Sequence, residues 1–361
     1  MTEIEWQFNG KKFNFAQLKS GNFPGLLTPF EKVSLDFGRA WINGANDFSV
    51  HTSGSTGIPK KITLHRGQME ASARLTERAL GLQAGYTALL CLDASHIAGQ
   101  MMLVRSFVTG MNIVAVEPSA NPWDHIANGL PIDFTALVPY QMHTILNSPS
   151  AKEKLNELKT VIIGGAPADE KLKLSVGSLK CKVFATYGMT ETISHIALQK
   201  LNGADRQDYF QVLPGISIQT DQQGCLTIAA NYLGPGKIVT HDLIEILSPH
   251  QFKWLGRLDN VINTGGVKVI PEKIEREVEH IFQELGLQNR FFISGIEDPS
   301  LGSKVVLIVE GVQWDDALTQ RIYKSLAGRL SRYEIPKEIR RLYRFVETDT
   351  QKINRKATLE L

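Results

Sequence analysis

The sequence predicts an α/β protein: a large N-terminal domain of layered α/β sheets with a small β region, followed by a small mobile α+β domain. Short apolar runs alternate with helical stretches between residues 88 and 185, which favours a largely parallel sheet. Shorter segments separated by turns follow at 216–246, as expected of antiparallel hairpins. Strands and amphipathic helices then recur over the last roughly 100 residues. We therefore predict domains at 1–258 and 259–361.

The individual elements follow from local patterns. Thr28-Pro29-Phe30-Glu31 begins a helix, because Thr28 serves as N-cap, Pro29 takes the first helical position and Glu31 completes a capping box. Pro271 begins a second amphipathic helix. Strands are predicted at 48–51, 88–92, 112–116, 136–138, 160–163, 182–185, 267–270, 291–294 and 305–309, and a further helix at 315–330.

Composition excludes several classes of function. The 361 residues are 43% apolar and 21% charged, as in ordinary globular proteins. The 39 Lys and Arg nearly balance 37 Asp and Glu, so no overall field favours nucleic acid or a membrane surface. Three cysteines form no Cys-x-x-Cys pair, which favours a reducing compartment without structural zinc. With no signal-peptide pattern at residues 1–6 and no uninterrupted membrane-spanning stretch, we expect a cytoplasmic protein.

Residues 52–60, Thr-Ser-Gly-Ser-Thr-Gly-Ile-Pro-Lys, carry the strongest functional signal. Glycines permit a tight turn with exposed backbone N–H groups, hydroxyls add donors, and the lysine adds positive charge, so the loop can enclose phosphate oxygens. It differs from the P-loop, because a proline separates the glycines from the lysine. A Gly/Ser/Thr-rich surface turn is the alternative. The candidate phosphate ligands are Thr52, Ser53, Gly54, Ser55, Thr56, Gly57 and Lys60.

A second motif, Thr-Tyr-Gly-Met-Thr-Glu, occupies residues 186–191. Tyr187 offers a flat face on which a base can stack, and Gly188 permits close backbone approach. Glu191 is a hard oxygen ligand suited to Mg²⁺ beside phosphates. A turn with an exposed acid is the alternative interpretation of the motif taken alone.

Together these motifs resemble the adenylate-forming ligases of the acyl-CoA synthetase superfamily. Further matches occur in order: the paired glycines at 164–165, an aspartate at 242, Gly-Arg-x-Asp at 256–259, Thr-Gly-Gly at 264–266 and a Lys-x-x-Arg-Lys signature at 352–356. The resemblance extends from residue 52 to residue 356. Three departures stand out: His241 and Gln351 occupy usual glycine positions, and about fifty residues precede the phosphate loop where most relatives have a hundred or more.

The resemblance implies ATP, Mg²⁺ and CoA as ligands, and an acid–CoA ligase reaction through an acyl-adenylate. It implies that Lys352 acts in adenylation, that Glu191 holds the metal, and that His96 lies between the acyl and thiol pockets. Asp259 becomes the interdomain hinge. A disordered basic tail is the alternative for the segment around Lys352. The implied nucleotide and CoA contacts beyond the phosphate loop are Gly164, Gly165, Ala166, Tyr187, Gly188, Thr190, Asp242, Arg257, Gly265 and Gly266.

Arg105 is unusual, because it interrupts the apolar run 101–108. A buried guanidinium is costly unless an anion meets it. An internal Asp or Glu, or a side chain that reaches water, would satisfy it. The alternative is that Arg105 binds a second carboxylate on the substrate. The His-x-x-Gly…Arg spacing from His96, with Val-Pro-Tyr-Gln-Met at 138–142, resembles the o-succinylbenzoate–CoA ligases of menaquinone biosynthesis, whose substrate is such a dicarboxylic acid.

Other functions stay open at this point. The chain could ligate another aromatic or aliphatic acid to CoA, pass its adenylate to a carrier-protein thiol, or bind nucleotide without catalysis. Expected partners are small molecules, with no nucleic acid and no membrane span. A homodimer is one expectation from the resemblance, although the sequence shows no interface pattern.

Overall fold

The computed structural model describes residues 4–23, 25–51, 61–311, 314–347 and 353–361. The helices are α1 (Phe15–Ser20), α2 (Pro29–Ile42), α3 (Arg66–Leu80), α4 (Ile97–Thr109), α5 (Pro139–Leu146), α6 (Pro149–Glu157), α7 (Glu170–Ser175), α8 (Pro271–Glu284), α9 (Asp316–Ala327) and α10 (Arg355–Leu359). The first ten strands are β1 (Trp6–Phe8), β2 (Lys11–Phe13), β3 (Asp47–His51), β4 (Lys61–His65), β5 (Thr87–Leu90), β6 (Asn112–Ala115), β7 (Phe134–Leu137), β8 (Thr160–Ile163), β9 (Lys182–Gly188) and β10 (His195–Lys200). The others are β11 (Phe210–Val212), β12 (Ile216–Thr220), β13 (Cys225–Ala230), β14 (Ile238–Ser248), β15 (Gln251–Arg257), β16 (Ile262–Thr264), β17 (Val267–Val269), β18 (Phe291–Asp298), β19 (Gly302–Glu310) and β20 (Glu338–Leu342).

A thirteen-stranded sheet organises the described N-terminal part, in the order β12-β13-β14-β15-β11-β10-β9-β8-β7-β5-β6-β1-β2. Strands β9, β8, β7, β5, β6 and β1 pair in parallel. From β9 to β12 every pairing is antiparallel. The predicted parallel sheet and antiparallel hairpins are confirmed. The hairpins extend the parallel sheet, since β10 pairs directly with β9.

Both faces of the parallel region are buried, as helices on each side of such a sheet require. Successive residues along a strand face opposite sides, and here they enter different hydrophobic clusters. Ala136 and Ile162 belong to the larger cluster with helix α4, whereas Leu137 and Ile163 belong to the cluster with Met142 of helix α5. Helix α4 is therefore held deep in the molecule, with every residue from Gly99 to Ser106 buried.

The segment before the predicted phosphate loop supplies the edge strands β1 and β2 of the large sheet. Helix α2 has the predicted start, since the Thr28 hydroxyl accepts the Glu31 N–H and the capping box is complete. Strand β1 pairs with β6 and brings Trp6 and Phe8 into the core. Within the described residues, no helix combines the length and apolar character needed to cross a bilayer.

A second sheet, β16–β20, carries helices α8 and α9. Helix α8 buries Ile274, Val278 and Ile281, as predicted. The helix expected at 315–330 is α9, which is shorter because Asp315 caps its start and it ends before Gly328. The large sheet ends at Arg257 and the small sheet begins at Ile262, so the proposed boundary at 258–259 falls in the connecting turn.

Candidate functional site

The predicted phosphate ligands at 52–60, and Lys352, lie outside the described residues. Their neighbours are described. Strands β3 and β4 form an antiparallel hairpin in which Val50 pairs with Ile62, and residues 52–60 connect these two strands. On the other side, Ile353 is the first described residue after Lys352.

Two glycine turns meet at one edge of the sheet, because the parallel strands β8 and β9 end there. This edge is where open α/β sheets bind ligands. Gly164 leaves no room for a side chain, since a Cβ would lie 2.4 Å from the Thr186 hydroxyl oxygen. Gly188 is equally constrained, since its Cβ would lie 2.4 Å from the carbonyl oxygen of Ser194. The structure thus brings the segments 164–166 and 186–188 together.

Asp242 lies at the centre of this site. Its carboxylate is buried and accepts two hydrogen bonds, one from the Tyr187 hydroxyl at 2.6 Å and one from the Trp254 indole N–H at 3.1 Å. Arg257 pairs with it across strands β14 and β15, with Nη1 3.9 Å from Oδ1. Burial, followed by the negative charge of Asp242, raises the pKa of Tyr187, so Tyr187 remains a donor at any physiological pH. The role of Trp254 was not predicted, because adjacency to the Gly-Arg motif says nothing about where an indole points.

His241, a departure from the family pattern, has a structural partner. Its Nδ1 atom lies 2.8 Å from Oδ1 of Asp259, and Arg257 Nη2 lies 2.9 Å from the other carboxylate oxygen. The hydrogen bonds from Arg257 and then from His241 lower the pKa of Asp259. The proposed hinge residue, Asp259, therefore contacts strand β14 through the side chain of His241, and a glycine at position 241 could not make this contact.

A cavity of about 1250 Å³ separates the large sheet from the C-terminal unit. Gly165, Ala166, Tyr187, Asp242 and Arg257 line one side. Residues of α8, with Ile353 and Arg355, line the other side. The described residues nearest Lys352 in sequence thus share one cavity with the predicted nucleotide contacts.

The carboxylate of Glu279 bridges the two sides of this cavity. Glu279 of α8 accepts the backbone N–H groups of Glu170 and Lys171, at 3.0 and 2.8 Å, in the first turn of α7. This contact holds the C-terminal unit against the large sheet.

Gly265 and Gly266 are not among the residues that line the cavity. They form the turn between β16 and β17 with φ of 57° and 80°, values typical of a turn that requires two positive φ angles.

Glu191 and His96 are both exposed and do not line the cavity. Glu191 lies in the 3₁₀ turn Thr190–Thr192 and His96 is the N-cap residue of α4. Within the described residues, no group of three or more His, Cys, Asp or Glu could by itself hold a metal. Magnesium in nucleotide enzymes commonly uses one or two carboxylates with substrate phosphates, and a single exposed Glu191 fits that donor set.

Arg105 is only 3% exposed, and its guanidinium has no carboxylate partner among the described residues. Nη2 donates to the Ser194 hydroxyl at 2.5 Å and Nη1 approaches the Met102 sulfur at 3.7 Å, whereas Nε has no partner. Burial lowers the pKa of Arg105 to about 10, which still leaves it charged at neutral pH. Among the residues that the structure describes, neither an acid nor exposure to water satisfies this cation. Like His96 and Glu191, Arg105 does not line the large cavity.

Comparison with known proteins gives a consistent family. A profile described as "AMP-binding enzyme" matches residues 45–221. A probable 2-succinylbenzoate–CoA ligase of Mycobacterium tuberculosis is 31% identical over 284 residues, which cover 72% of this chain and 70% of that protein. The 2-succinylbenzoate–CoA ligase of Salmonella typhimurium is 28% identical over 306 residues, which cover 80% of this chain and 63% of that one. The chain thus spans about two thirds of the length of these curated relatives.

Solved structures of similar proteins have the same fold as this chain. An acyl-CoA synthetase (AMP-forming)/AMP-acid ligase II-like protein from Dyadobacter fermentans is 39% identical, with a TM-score of 0.64 over 95% of this chain and 97% of that chain. The o-succinylbenzoate coenzyme A synthetase of Bacillus subtilis, in complex with ATP and magnesium, has a TM-score of 0.69 over 86% of this chain and 69% of that chain. At 21% identity the second likeness shows the fold alone. From the profile match, the 31% identity and the shared fold, the chain belongs to the AMP-binding enzyme family of adenylate-forming acid–CoA ligases.

Proposed function

We propose that this protein converts o-succinylbenzoate to o-succinylbenzoyl-CoA in two half-reactions. The succinyl carboxylate attacks the α-phosphorus of ATP and expels pyrophosphate, and the CoA thiol then attacks the acyl-adenylate and releases AMP. The observation that supports this substrate is Arg105, a buried cation that has no carboxylate partner in the described part of the chain. The relatives from M. tuberculosis and S. typhimurium bear names that agree with it.

The substrate has one carboxylate to be activated and one on the ring that must be held. A charged group buried without a counterion is costly, and a guanidinium offers several N–H donors in a fixed plane. The partnerless Nε–H of Arg105 leaves a donor available for an incoming carboxylate. An acid with a single carboxylate would leave that donor unsatisfied, so Arg105 favours a dicarboxylic substrate.

The first half-reaction brings two anions together, so its main requirements are charge neutralisation and alignment. In our assignment, residues 53–60 enclose the β- and γ-phosphates and Lys352 contacts the α-phosphate and the carboxylate as charge develops. Asp242, held by Tyr187 and Trp254, accepts the ribose hydroxyls. Glu191 would hold Mg²⁺, which neutralises phosphate charge when it is bound.

The second half-reaction needs a different arrangement. The segment containing Lys352 and the turn Gly265–Gly266 belong to the same C-terminal unit. Of the described residues in these two segments, Ile353 and Arg355 line the cavity, whereas Gly265 and Gly266 do not. Rotation about Asp259 would exchange them, as in hinge-type domain alternation. The cysteines Cys91, Cys181 and Cys225 are free and buried, in keeping with our assignment to the cytoplasm. A homodimer stays an expectation from the family resemblance.

The decisive experiment measures pyrophosphate release and thioester formation with Mg-ATP and CoA on three acids: o-succinylbenzoate, benzoate and a medium-chain fatty acid. We expect both products with o-succinylbenzoate only. Release with another acid would keep the chemistry and reject this substrate, and release without a thioester would favour a carrier-protein thiol as acceptor. ATP binding with no release on any acid would indicate a relative without catalysis.

Arg105→Ala tests the residue that carries the proposal. Because loss of one partner in a buried charged hydrogen bond typically costs 2–5 kcal/mol, we expect KM for o-succinylbenzoate to rise by at least about thirtyfold. The KM for ATP should change little. Equal increases for both substrates would contradict the proposal.

A further inference from the structure

The side chain of Arg105 lies at one end of a buried polar chain that no motif singles out. We propose that Ser194, His195 and Thr76 are positioning residues that hold Arg105 in the orientation in which it receives the second carboxylate of the substrate. This inference rests on the role proposed above for Arg105. It adds Thr76 from α3, His195 from β10 and Ser194 from the turn just before β10, none of which touches the reacting atoms.

The chain begins at the guanidinium. An arginine can only donate, so the Ser194 Oγ accepts from Arg105 Nη2 at 2.5 Å. The hydroxyl hydrogen of Ser194 must then point elsewhere. Its other contact is Nδ1 of His195, at 3.5 Å, which is the outer limit of a hydrogen bond. Ser194 therefore links the cation to the imidazole.

The far end of the chain indicates the direction of the other hydrogen bonds. The Thr76 hydroxyl donates to the backbone carbonyl of Ser72 at 3.1 Å. With its one hydrogen used there, it accepts from His195 Nε2, also 3.1 Å away. In this arrangement the proton of His195 is on Nε2, and Nδ1 has a lone pair for Ser194. His195 is 6% exposed, and burial, followed by the charge of Arg105, lowers its pKa well below 6.5.

A neutral His195 has two consequences. Arg105 is then the charged member of this group of four side chains. The guanidinium is also linked to helix α3 through His195 and the hydroxyls of Ser194 and Thr76. Helices α3 and α4 pack against each other, so Thr76 and Arg105 lie on two helices in direct contact. The substrate would therefore meet a guanidinium that is already oriented, which lowers the ordering cost of binding.

The backbone that presents Ser194 supports this assignment. Ile193 has φ of 69°, in the left-handed region that a β-branched residue rarely adopts. The Thr192 hydroxyl holds this turn, because it accepts the Met189 N–H at 2.9 Å and lies 2.7 Å from the Ser194 carbonyl oxygen. Strained residues persist where surrounding contacts determine them, and they cluster at functional sites. The predicted metal ligand Glu191 lies within this turn, three residues before Ser194.

The test uses Thr76→Val, which keeps the shape of the side chain and removes a hydroxyl three contacts away from Arg105. Since one neutral hydrogen bond is lost, we expect KM for o-succinylbenzoate to rise about threefold to tenfold. The kcat and the KM for ATP should stay within about twofold of wild type. Ser194→Ala should raise the same KM, and Ser194→Thr, which keeps the hydroxyl, should restore most of it.

The matched control is Thr109→Val. Thr109 is also buried, lies on α4 itself, and its hydroxyl has no hydrogen-bond partner. Its KM values should match those of wild type. If Thr76→Val raises every KM equally, or changes none, the positioning role is wrong. If Arg105→Ala has no selective effect, the proposed substrate contact fails, and the role of the chain in carboxylate binding fails with it.

A measurement without substrate separates the two failures. Side-chain ¹⁵N NMR of His195, assigned by comparison with His195→Gln, should show a neutral imidazole protonated on Nε2 at pH 7. Thr76→Val should disturb this tautomer, and Thr109→Val should not. An imidazolium, or a proton on Nδ1, would overturn the hydrogen-bonded chain whatever the substrate proves to be.

Discussion

The α-carbon of Gly256 faces the carboxylate of Glu272 so closely that a Cβ on Gly256 would lie 2.3 Å from Oε2. Gly256 is the first residue of the Gly-Arg-x-Asp motif, and Glu272 lies in the first turn of α8. Glu272 is buried and accepts a hydrogen bond from the Asn260 side chain at 2.5 Å. The motif glycine thus packs closely against side chains at the start of the C-terminal unit.

Gly256→Ala should therefore destabilise the protein. The methyl group would also meet Ile270 Cγ2 at 2.7 Å, so the side chains of Ile270 and Glu272 must move, and such overpacking typically costs about 1–3 kcal/mol in the free energy of unfolding. Urea denaturation measures the change. Gly236→Ala is the control, because nothing lies within 4 Å of its Cβ position, and it should change stability by less than about 0.5 kcal/mol. Equal effects of the two substitutions would contradict the packing explanation.

Tyr187→Phe and Trp254→Phe should each weaken AMP binding about threefold to tenfold, because each removes one donor from the Asp242 carboxylate. The two donors bind different oxygens of one group, so their effects should not add. Calorimetric titration of the single and double variants should give a coupling energy of at least about 0.5 kcal/mol. Tyr209→Phe, on a tyrosine whose hydroxyl contacts Gln207, serves as control. Additive losses would show that Asp242 is not their common target.

Lys352→Ala should separate the two half-reactions. If Lys352 contacts the α-phosphate in the transition state, its loss should reduce adenylation about a hundredfold or more. Thiolysis of supplied acyl-adenylate should stay nearly intact, since the domain alternation proposed above would withdraw this lysine before CoA reacts. Pyrophosphate exchange and single-turnover thioester formation measure the two steps. A comparable loss in both would reject the assignment.

Stability should fall with pH below about 6.5 because of His195. Its folded-state pKa lies below the unfolded value of 6.5, so between these pH values the unfolded chain binds more protons. The free energy of unfolding then decreases as pH falls, by up to about 1.4 kcal/mol per pH unit for one group. Denaturation at pH 5, 6 and 7 should show a smaller slope for His195→Gln. The exposed His125 provides the control, and His125→Gln should keep the wild-type slope.

Much of the fold was predictable because it depends on local pattern. The capping residues Thr28 and Glu31 define the start of α2, and the apolar run 160–163 is β8. Strand β9 extends three residues beyond its predicted end, since the Tyr-Gly motif continues the pairing with β10. The site was predictable in part. Tyr187, Asp242 and Arg257 do converge, whereas the phosphate loop and Lys352 stay predictions.

The sequence by itself determined the family, the order of the motifs and the charged residue in an apolar helix, because these depend on residue type and spacing along the chain. It could not determine which side chains satisfy which buried groups. The contacts of Trp254 with Asp242, His241 with Asp259 and Ser194 with Arg105 join segments 12, 18 and 89 residues apart. Such partners are set when packing forces each buried donor and acceptor to find another, and only the tertiary structure decides that.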